Sequence, residues 1–213
     1  MKIVIFGATG FVGKSTLKEA LKRDYQVTIF VRDKSKVTIQ HKNLTIVQGD
    51  VLDPQSVNDI LKGQDAVIQV LGYNGKGNGK PTTFTTDATR IIIDGMQQNN
   101  VQRLIAISVV GVGNSISFLP KIFTKFILPH FMKWFQFIID DKNTMEPLIM
   151  NSSLAWTVVR SITIKDKPAK GKINATFDGQ GMKMSITVGD VAKFLIDQLS
   201  DSTHLKQAPT ISN

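Results

Sequence analysis

Apolar and polar positions follow two alternating periods along this chain. Residues 3–6 (Ile3-Val4-Ile5-Phe6) are continuously apolar, as expected of a strand buried on both faces. Gly13, Leu17, Ala20 and Leu21 then recur at i, i+4, i+7 and i+8, the period of an amphipathic helix. The same switch repeats downstream. Strands are predicted over residues 26–31, 43–48, 65–70, 102–107 and 154–160. A helix starts at Pro54 behind an Asp53 cap, carries Val57, Ile60 and Leu61 on one face and stops near Gly63. Further helices are predicted over residues 83–99, from Asp141 to near Asn151, and after Thr187-Val188-Gly189-Asp190, which reads as a capping box. The polar tail after Ser200 predicts a loosely held end. Strands and helices joined by short connections point to an α/β fold with a doubly wound parallel sheet. With neither repeat nor linker, residues 1–213 read as a single domain.

Composition narrows the options. A chain of 213 residues that is 42% hydrophobic can build one sizeable core. It contains no cysteine, which excludes disulfides and thiol chemistry. The net charge of +9 raises the question of nucleic acid. However, Lys34, Lys36, Lys62, Lys76, Lys80, Lys165, Lys167, Lys170 and Lys172 fall in separate segments rather than one patch. No nucleic-acid partner is expected, and the surplus suits an anionic cofactor. His41, His130 and His204 show no metal-ligand spacing, so no metal site is expected. The apolar start is too short for a signal peptide, and no apolar run approaches the ~20 residues of a membrane span. A cytoplasmic protein, monomeric or homodimeric and without membrane contact, is the expectation.

The turn after the first strand carries the sharpest chemistry. Glycines also mark ordinary turns, but Gly7, Gly10 and Gly13 lie between a buried strand and a helix, the context of a dinucleotide pyrophosphate site. Gly7 allows the tight turn, Gly10 lets backbone approach phosphate, and Gly13 lets helix and strand pack closely. The helix N-terminus offers N–H groups and partial positive charge. At the end of the second strand, where an acidic residue would hold the ribose of NAD, stands Arg32, whose guanidinium suits a 2′-phosphate. NADP(H) is therefore favoured over NAD(H). Ligands of such sheets bind at the strands' carboxyl ends, which places Gly10, Arg32, Asp50, Gly72 and Ser108 on one rim.

Two segments resist assignment by period. Residues 74–81 are rich in glycine and read as a loop able to cover a cofactor. Residues 111–140 hold half of the phenylalanines, broken by Pro120 and Pro129 and interspersed with Lys121, Lys125 and Lys133. Such a segment suits a lid over an apolar substrate, a dimer or membrane-surface contact, or ordinary core. Core and lid take precedence, because aromatic stripes usually pack.

The start Gly7-Ala8-Thr9-Gly10-Phe11-Val12-Gly13-Lys14 resembles that of the atypical short-chain dehydrogenase/reductases of the NmrA-like, flavin reductase and biliverdin-IXβ reductase group. So do Val31-Arg32-Asp33, Gly49-Asp50-Val51, Asp141-Lys142 with Glu146, Trp156-Thr157-Val158-Val159-Arg160 and Gly189-Asp190-Val191-Ala192, in the family's order. The resemblance implies a Rossmann sheet binding NADP(H), with a small substrate region near the C-terminal segments. Carried over by position, Thr9, Gly10, Phe11 and Val12 would hold the pyrophosphate, and Arg32 and Lys36 the 2′-phosphate. Asp50 and Val51 would flank the adenine, and Val70, Leu71 and Gly72 the ribose. Ser108 would sit near the nicotinamide, with Arg160 to Ile162 beside its carboxamide. The family's Arg-Pro is Arg160-Ser161 here, and the aromatic segment has no counterpart in the pattern.

The wider superfamily uses Tyr-x-x-x-Lys, whose tyrosine protonates an alkoxide. This chain has only Tyr25 and Tyr73, neither four residues before a lysine, and the residue four before Lys142 is Ile138. Reduction of a flavin, quinone or similar planar acceptor needs less: a hydride from NADPH, a proton from water and a dry pocket holding two rings face to face. Phenylalanines and Trp134 suit such walls; Lys142 and Ser108 are the candidate catalytic residues, Lys142 either binding the nicotinamide ribose or stabilising developing negative charge. The alternative is a non-catalytic NADP-binding redox sensor of NmrA-like type.

Overall fold

In the computed structural model, which describes residues 1–73 and 79–213, the two periods become the two layers of one fold. The chain runs β1 (Lys2–Phe6), α1 (Phe11–Lys22), β2 (Gln26–Val31), a short turn of helix at Lys34–Lys36, β3 (Leu44–Gln48), α2 (Pro54–Leu61) and β4 (Ala66–Gln69). It continues through α3 (Phe84–Gln98) and β5 (Arg103–Val109) to an irregular stretch with a π-helical turn at Phe123–Ile127. Then come α4 (Leu128–Phe131), α5 (Lys133–Met150), β6 (Ala155–Ser161), β7 (Thr163–Lys165), β8 (Asn174–Thr176), β9 (Ser185–Thr187), α6 (Val188–Asp197) and β10 (Thr210–Ser212).

The main sheet has the order β3-β2-β1-β4-β5-β6-β10-β8. All its pairings are parallel except β10 with β8. This is the doubly wound Rossmann arrangement, with the strand order reversing between β1 and β4. Alternate side chains divide the core between the two faces. Ile3, Ile5, Ile29, Ile68 and Ile105 pack under α1 and α6, whereas Val4, Phe6, Val67, Leu104 and Trp156 pack under α2, α3 and α5. Residues buried on both faces explain why these strands read as unbroken apolar runs.

Local chemistry sets several boundaries. Asp53 caps α2 by accepting from the N–H groups of Gln55 and Ser56, with Pro54 at the first helical position. Thr187 caps α6 by accepting from the Asp190 N–H at 3.2 Å. The Asp190 carboxylate does not complete a reciprocal box, and instead accepts from the Lys170 and Gly171 N–H groups at 2.8 and 2.9 Å.

Three expectations need correction. The helix predicted from Asp141 begins eight residues earlier, at Lys133, and runs through Pro147. Asp141 does not start that helix because its carboxylate caps a different one. The tail after Ser200 is not loosely held: Thr210, Ile211 and Ser212 are fully buried as β10, filling the gap between β6 and β8. In the aromatic segment Leu128 is core, but Ile122, Phe126 and Phe131 face solvent. The expected loop over 74–81 lies outside the described residues for positions 74–78.

Candidate functional site

A cleft of about 460 Å³ crosses the carboxyl ends of β1, β2, β4, β5 and β6. One half is built from backbone and glycine. Gly7 leaves β1 at φ +89°, and a Cβ there would lie 2.6 Å from the Val70 carbonyl oxygen. A Cβ on Gly13 would lie 2.0 Å from the Gly7 carbonyl oxygen, so α1 can approach the turn only with glycine at that position. Gly13 thus stands behind the cleft and sets its floor. Gly10 caps α1 without a side chain, its N–H donating to the Gly7 carbonyl at 3.0 Å. Thr9, Gly10, Phe11 and Val12 line the cleft, so the positive end of α1 opens there with no side-chain acceptor of its own.

Beside this turn the cleft is edged by Phe30, Val31 and Arg32 of the β2 end and by Gly49 and Val51 after β3. Arg32 is exposed and makes no ion pair with a described residue. Asp33 turns away into its own short helix, accepting from the Ser35 N–H at 3.0 Å and from the Ser35 hydroxyl at 2.6 Å. Lys36 lies 3.9 Å from the Asp33 carboxylate and outside the cleft lining. Asp50 is also outside the lining, its carboxylate accepting from the Leu52 N–H at 3.0 Å.

The other half is built from side chains on five separate segments. Val70, Leu71, Gly72 and Tyr73 come from the β4 end, Phe84 from α3, and Ile107, Ser108 and Val109 from β5. Trp134, Phe135, Ile138 and Lys142 come from α5, and Ser161 and Ile164 from the region of β6 and β7. Lys142 is buried, and its Nζ donates to the carbonyls of Leu71 at 3.3 Å and Ile107 at 3.2 Å, joining the ends of β4 and β5. Burial lowers its pKa to about 8, against the opposing pull of Asp141 and Glu146. The Ser108 hydroxyl is buried and has no hydrogen-bond partner among the described residues.

Asp141, next to Lys142, fixes α5 in place. Its carboxylate accepts from the N–H and hydroxyl of Thr85 (2.8 and 2.7 Å), the same groups of Thr86 (3.0 and 2.5 Å) and the Tyr73 hydroxyl. It thereby caps the first turn of α3 from another element. Burial pushes this carboxyl upward, but the hydrogen bonds from Thr86, Tyr73 and Thr85 outweigh it and hold the pKa below the usual range. Burial, reinforced by Asp141, raises the Tyr73 phenol well above its ordinary value.

Arg160 and Ile162 lie outside the cleft. Arg160 shares the sheet face of Trp156 and Val158 and pairs in the interior with Glu146 of α5, its closest contact 2.6 Å, while also donating to the Asn114 side chain at 2.6 Å. Ile162 packs with Val110 and Leu119. The residue between them, Ser161, reaches the cleft, because successive strand side chains point to opposite faces. Tyr73, Phe84 and Ile164 are lining residues that the sequence pattern did not single out. No group of three or more metal-ligating side chains occurs among the described residues.

A family model described as NAD(P)H-binding matches residues 7–202. The chain belongs to the NAD(P)H-binding family. The resemblance to the atypical short-chain dehydrogenase/reductases read from the glycine turn agrees with this, as does the fold. The uncharacterized protein YwnB of Bacillus subtilis is 28% identical over 219 residues, covering 99% of this chain and 98% of that protein. The fold is shared with the oxidoreductase ylbE of Lactococcus lactis (24% identical, TM-score 0.84, covering 100% of this chain and 91% of that one). It is shared also with ChuY, an anaerobilin reductase of Escherichia coli O157:H7 (20% identical, TM-score 0.78, covering 100% and 97%). The groups present fit a dinucleotide. Uncapped helix N–H groups can take a diphosphate, and the Ser108 hydroxyl has bonding capacity that no described residue uses.

Proposed function

We propose that this protein is an NADPH-dependent reductase of a flat, conjugated acceptor such as a flavin or a quinone. The observation that carries this reading is the α5 wall. Ile138 stands in the cleft one helical turn before Lys142, where a Tyr-x-x-x-Lys enzyme presents its acid, and Trp134 and Phe135 extend the same wall. A simple carbonyl needs a proton delivered as the hydride arrives, whereas a conjugated ring spreads the added charge and takes its proton from water afterwards. The acceptor gains a hydride and one solvent proton, which balances as a two-electron reduction.

Bound in the cleft, the reduced nicotinamide supplies the hydride. The chain's own residues do the rest. Thr9, Gly10, Phe11 and Val12 hold the diphosphate, and Arg32 takes the 2′-phosphate, unaided by Lys36. Val51 flanks the adenine, while Val70, Leu71 and Gly72 flank the ribose. Ser108 and Lys142, which line the same cleft, would stand beside the nicotinamide and the acceptor. Below pH 8 the Lys142 ammonium offsets negative charge on the acceptor, anchored by the two strand-end carbonyls. Trp134, Phe135, Ile138 and Ile164 form an apolar wall that would exclude water from bound rings. Residues 1–213 act as one cofactor-binding unit, with the C-terminal segments around Ser161 and Ile164 closing the acceptor side. One protein sharing this fold is described as an anaerobilin reductase, which is in keeping with a reductase reading.

The test is NADPH oxidation with FMN, menadione and biliverdin offered in turn, repeated with NADH. Turnover with at least one acceptor, faster with NADPH, is expected. Tight NADP binding without turnover on any acceptor would instead sink the reductase reading in favour of a non-catalytic NADP-binding protein.

A further inference from the structure

The aromatic segment beside the cleft has two faces, and the fold uses only one of them. Leu128 is buried and Phe123 is half-buried against Val110, Leu119 and Ile139, so the inner face is anchored. On the outer face Ile122, Phe126 and Phe131 are 67%, 54% and 71% exposed. The rings of Phe126 and Phe131 lie 5.8 Å apart, forming one apolar stripe. Lys121, Lys125 and Lys133 are exposed beside it and pair with no described acid. No Asp or Glu occurs from residue 95 to residue 139. Exposed aromatics interleaved with uncompensated lysines on a short helical segment match the interfacial zone of an anionic bilayer, where rings enter the headgroup boundary and ammonium groups meet phosphates. No described helix is long and apolar enough to cross a membrane, so the contact is one of surface docking.

We infer that residues 121–133 dock on anionic membrane surfaces, the reading of this segment that the sequence ranked behind core and lid. Trp134 and Phe135, the next residues of the same run, line the cleft. Docking therefore brings the acceptor wall to the bilayer and selects a lipid-dissolved quinone, a consequence that rests on the reductase reading above.

The test is sedimentation of the full chain with vesicles of equal parts phosphatidylcholine and phosphatidylglycerol, or of phosphatidylcholine alone. Binding to the anionic vesicles only is expected. Lys121→Glu with Lys125→Glu should weaken it at least tenfold, since each lysine near such a surface is worth roughly fivefold. Phe126→Ser with Phe131→Ser should weaken it by about tenfold or more. All four side chains are exposed, so unchanged thermal midpoints will show that both variants fold. Absence of anionic-vesicle binding, or binding indifferent to both pairs, would overturn the inference. So would a solution dimer broken by the same substitutions, which would make this face a contact between copies of the chain. For the acceptor, NADPH oxidation is followed with tailed menaquinone in the anionic vesicles and with tail-less menadione in solution. The lysine reversals should slow the first at least tenfold and leave the second unchanged. Vesicle binding without turnover of either quinone would sink the reductase reading alone; menadione turnover without vesicle binding would sink docking alone.

Discussion

The two halves of the cleft are built on opposite plans. The half that opens on the end of α1 is centred on one short stretch, Gly7 to Gly13, where the groups on offer are backbone N–H and the fit is imposed by absent side chains. The other half comes from five segments spread between Val70 and Ile164, and its character lies in side chains: an aromatic and aliphatic wall, a buried lysine and a hydroxyl with no partner among the described residues. Backbone geometry can be specified locally and tolerates almost no substitution. A side-chain wall can change its residues one at a time while the scaffold stays fixed. A family can therefore keep one cofactor and vary its acceptors.

The contrast is broken most forcefully at Gly13. Gly13→Ala places a methyl 2.0 Å from the Gly7 carbonyl oxygen, against backbone that cannot swing aside. A loss of about 3 kcal/mol or more in denaturant unfolding is expected, together with loss of NADPH binding by calorimetry. Retained affinity for NADPH in a stable Gly13→Ala protein would show that the turn is not set by sterics.

On the acceptor side the largest effect belongs to Lys142, and it depends on pH. With a folded pKa of about 8 against an ordinary 10.5, both folded and unfolded chains hold the proton below pH 8, and the burial penalty is felt in full. Above pH 8 the folded lysine is neutral while the unfolded one stays charged, so the unfolded state binds more protons. Stability should rise with pH there, by about 1.4 kcal/mol per unit, until the ordinary pKa is reached. Lys142→Met should remove that rise in pH-resolved unfolding. It should also abolish a step near pH 8 in the rate profile, which a purely structural lysine would not produce.

Arg32→Ala sharpens the cofactor side. Losing a charged hydrogen bond costs ~1.5–3 kcal/mol, so NADPH affinity should fall about 10- to 100-fold while NADH affinity barely changes. Equal losses for both would mean that Arg32 does not read the 2′-phosphate. The smallest effect is expected from Ile138→Tyr, which restores Tyr-x-x-x-Lys. Reduction of flat acceptors should stay within a factor of about three, while reduction of a simple ketone, which depends on a general acid, should emerge above background. A collapse of flat-acceptor turnover would show that the aliphatic wall itself positions the substrate.

By itself the sequence determined the parts governed by short-range rules. Continuous apolar runs mark strands buried on both faces, i, i+4 spacing marks the helices covering them, and the Asp53-Pro54 start needs only neighbours in the chain. The glycine turn belongs with these, because its sterics act between residues six apart. Tertiary structure alone decided which face of β6 meets the cleft. Arg160 and Ile162 differ from Ser161 by one residue, and one step along a strand reverses the side chain. It also decided that Asp141 serves the N-terminus of α3 instead of its own helix, and that three residues near the end complete the sheet as β10. A three-residue strand is too short to show a period, and a cap supplied by another element leaves no local signature. Both are recorded only in which backbone groups the fold brings within hydrogen-bonding reach.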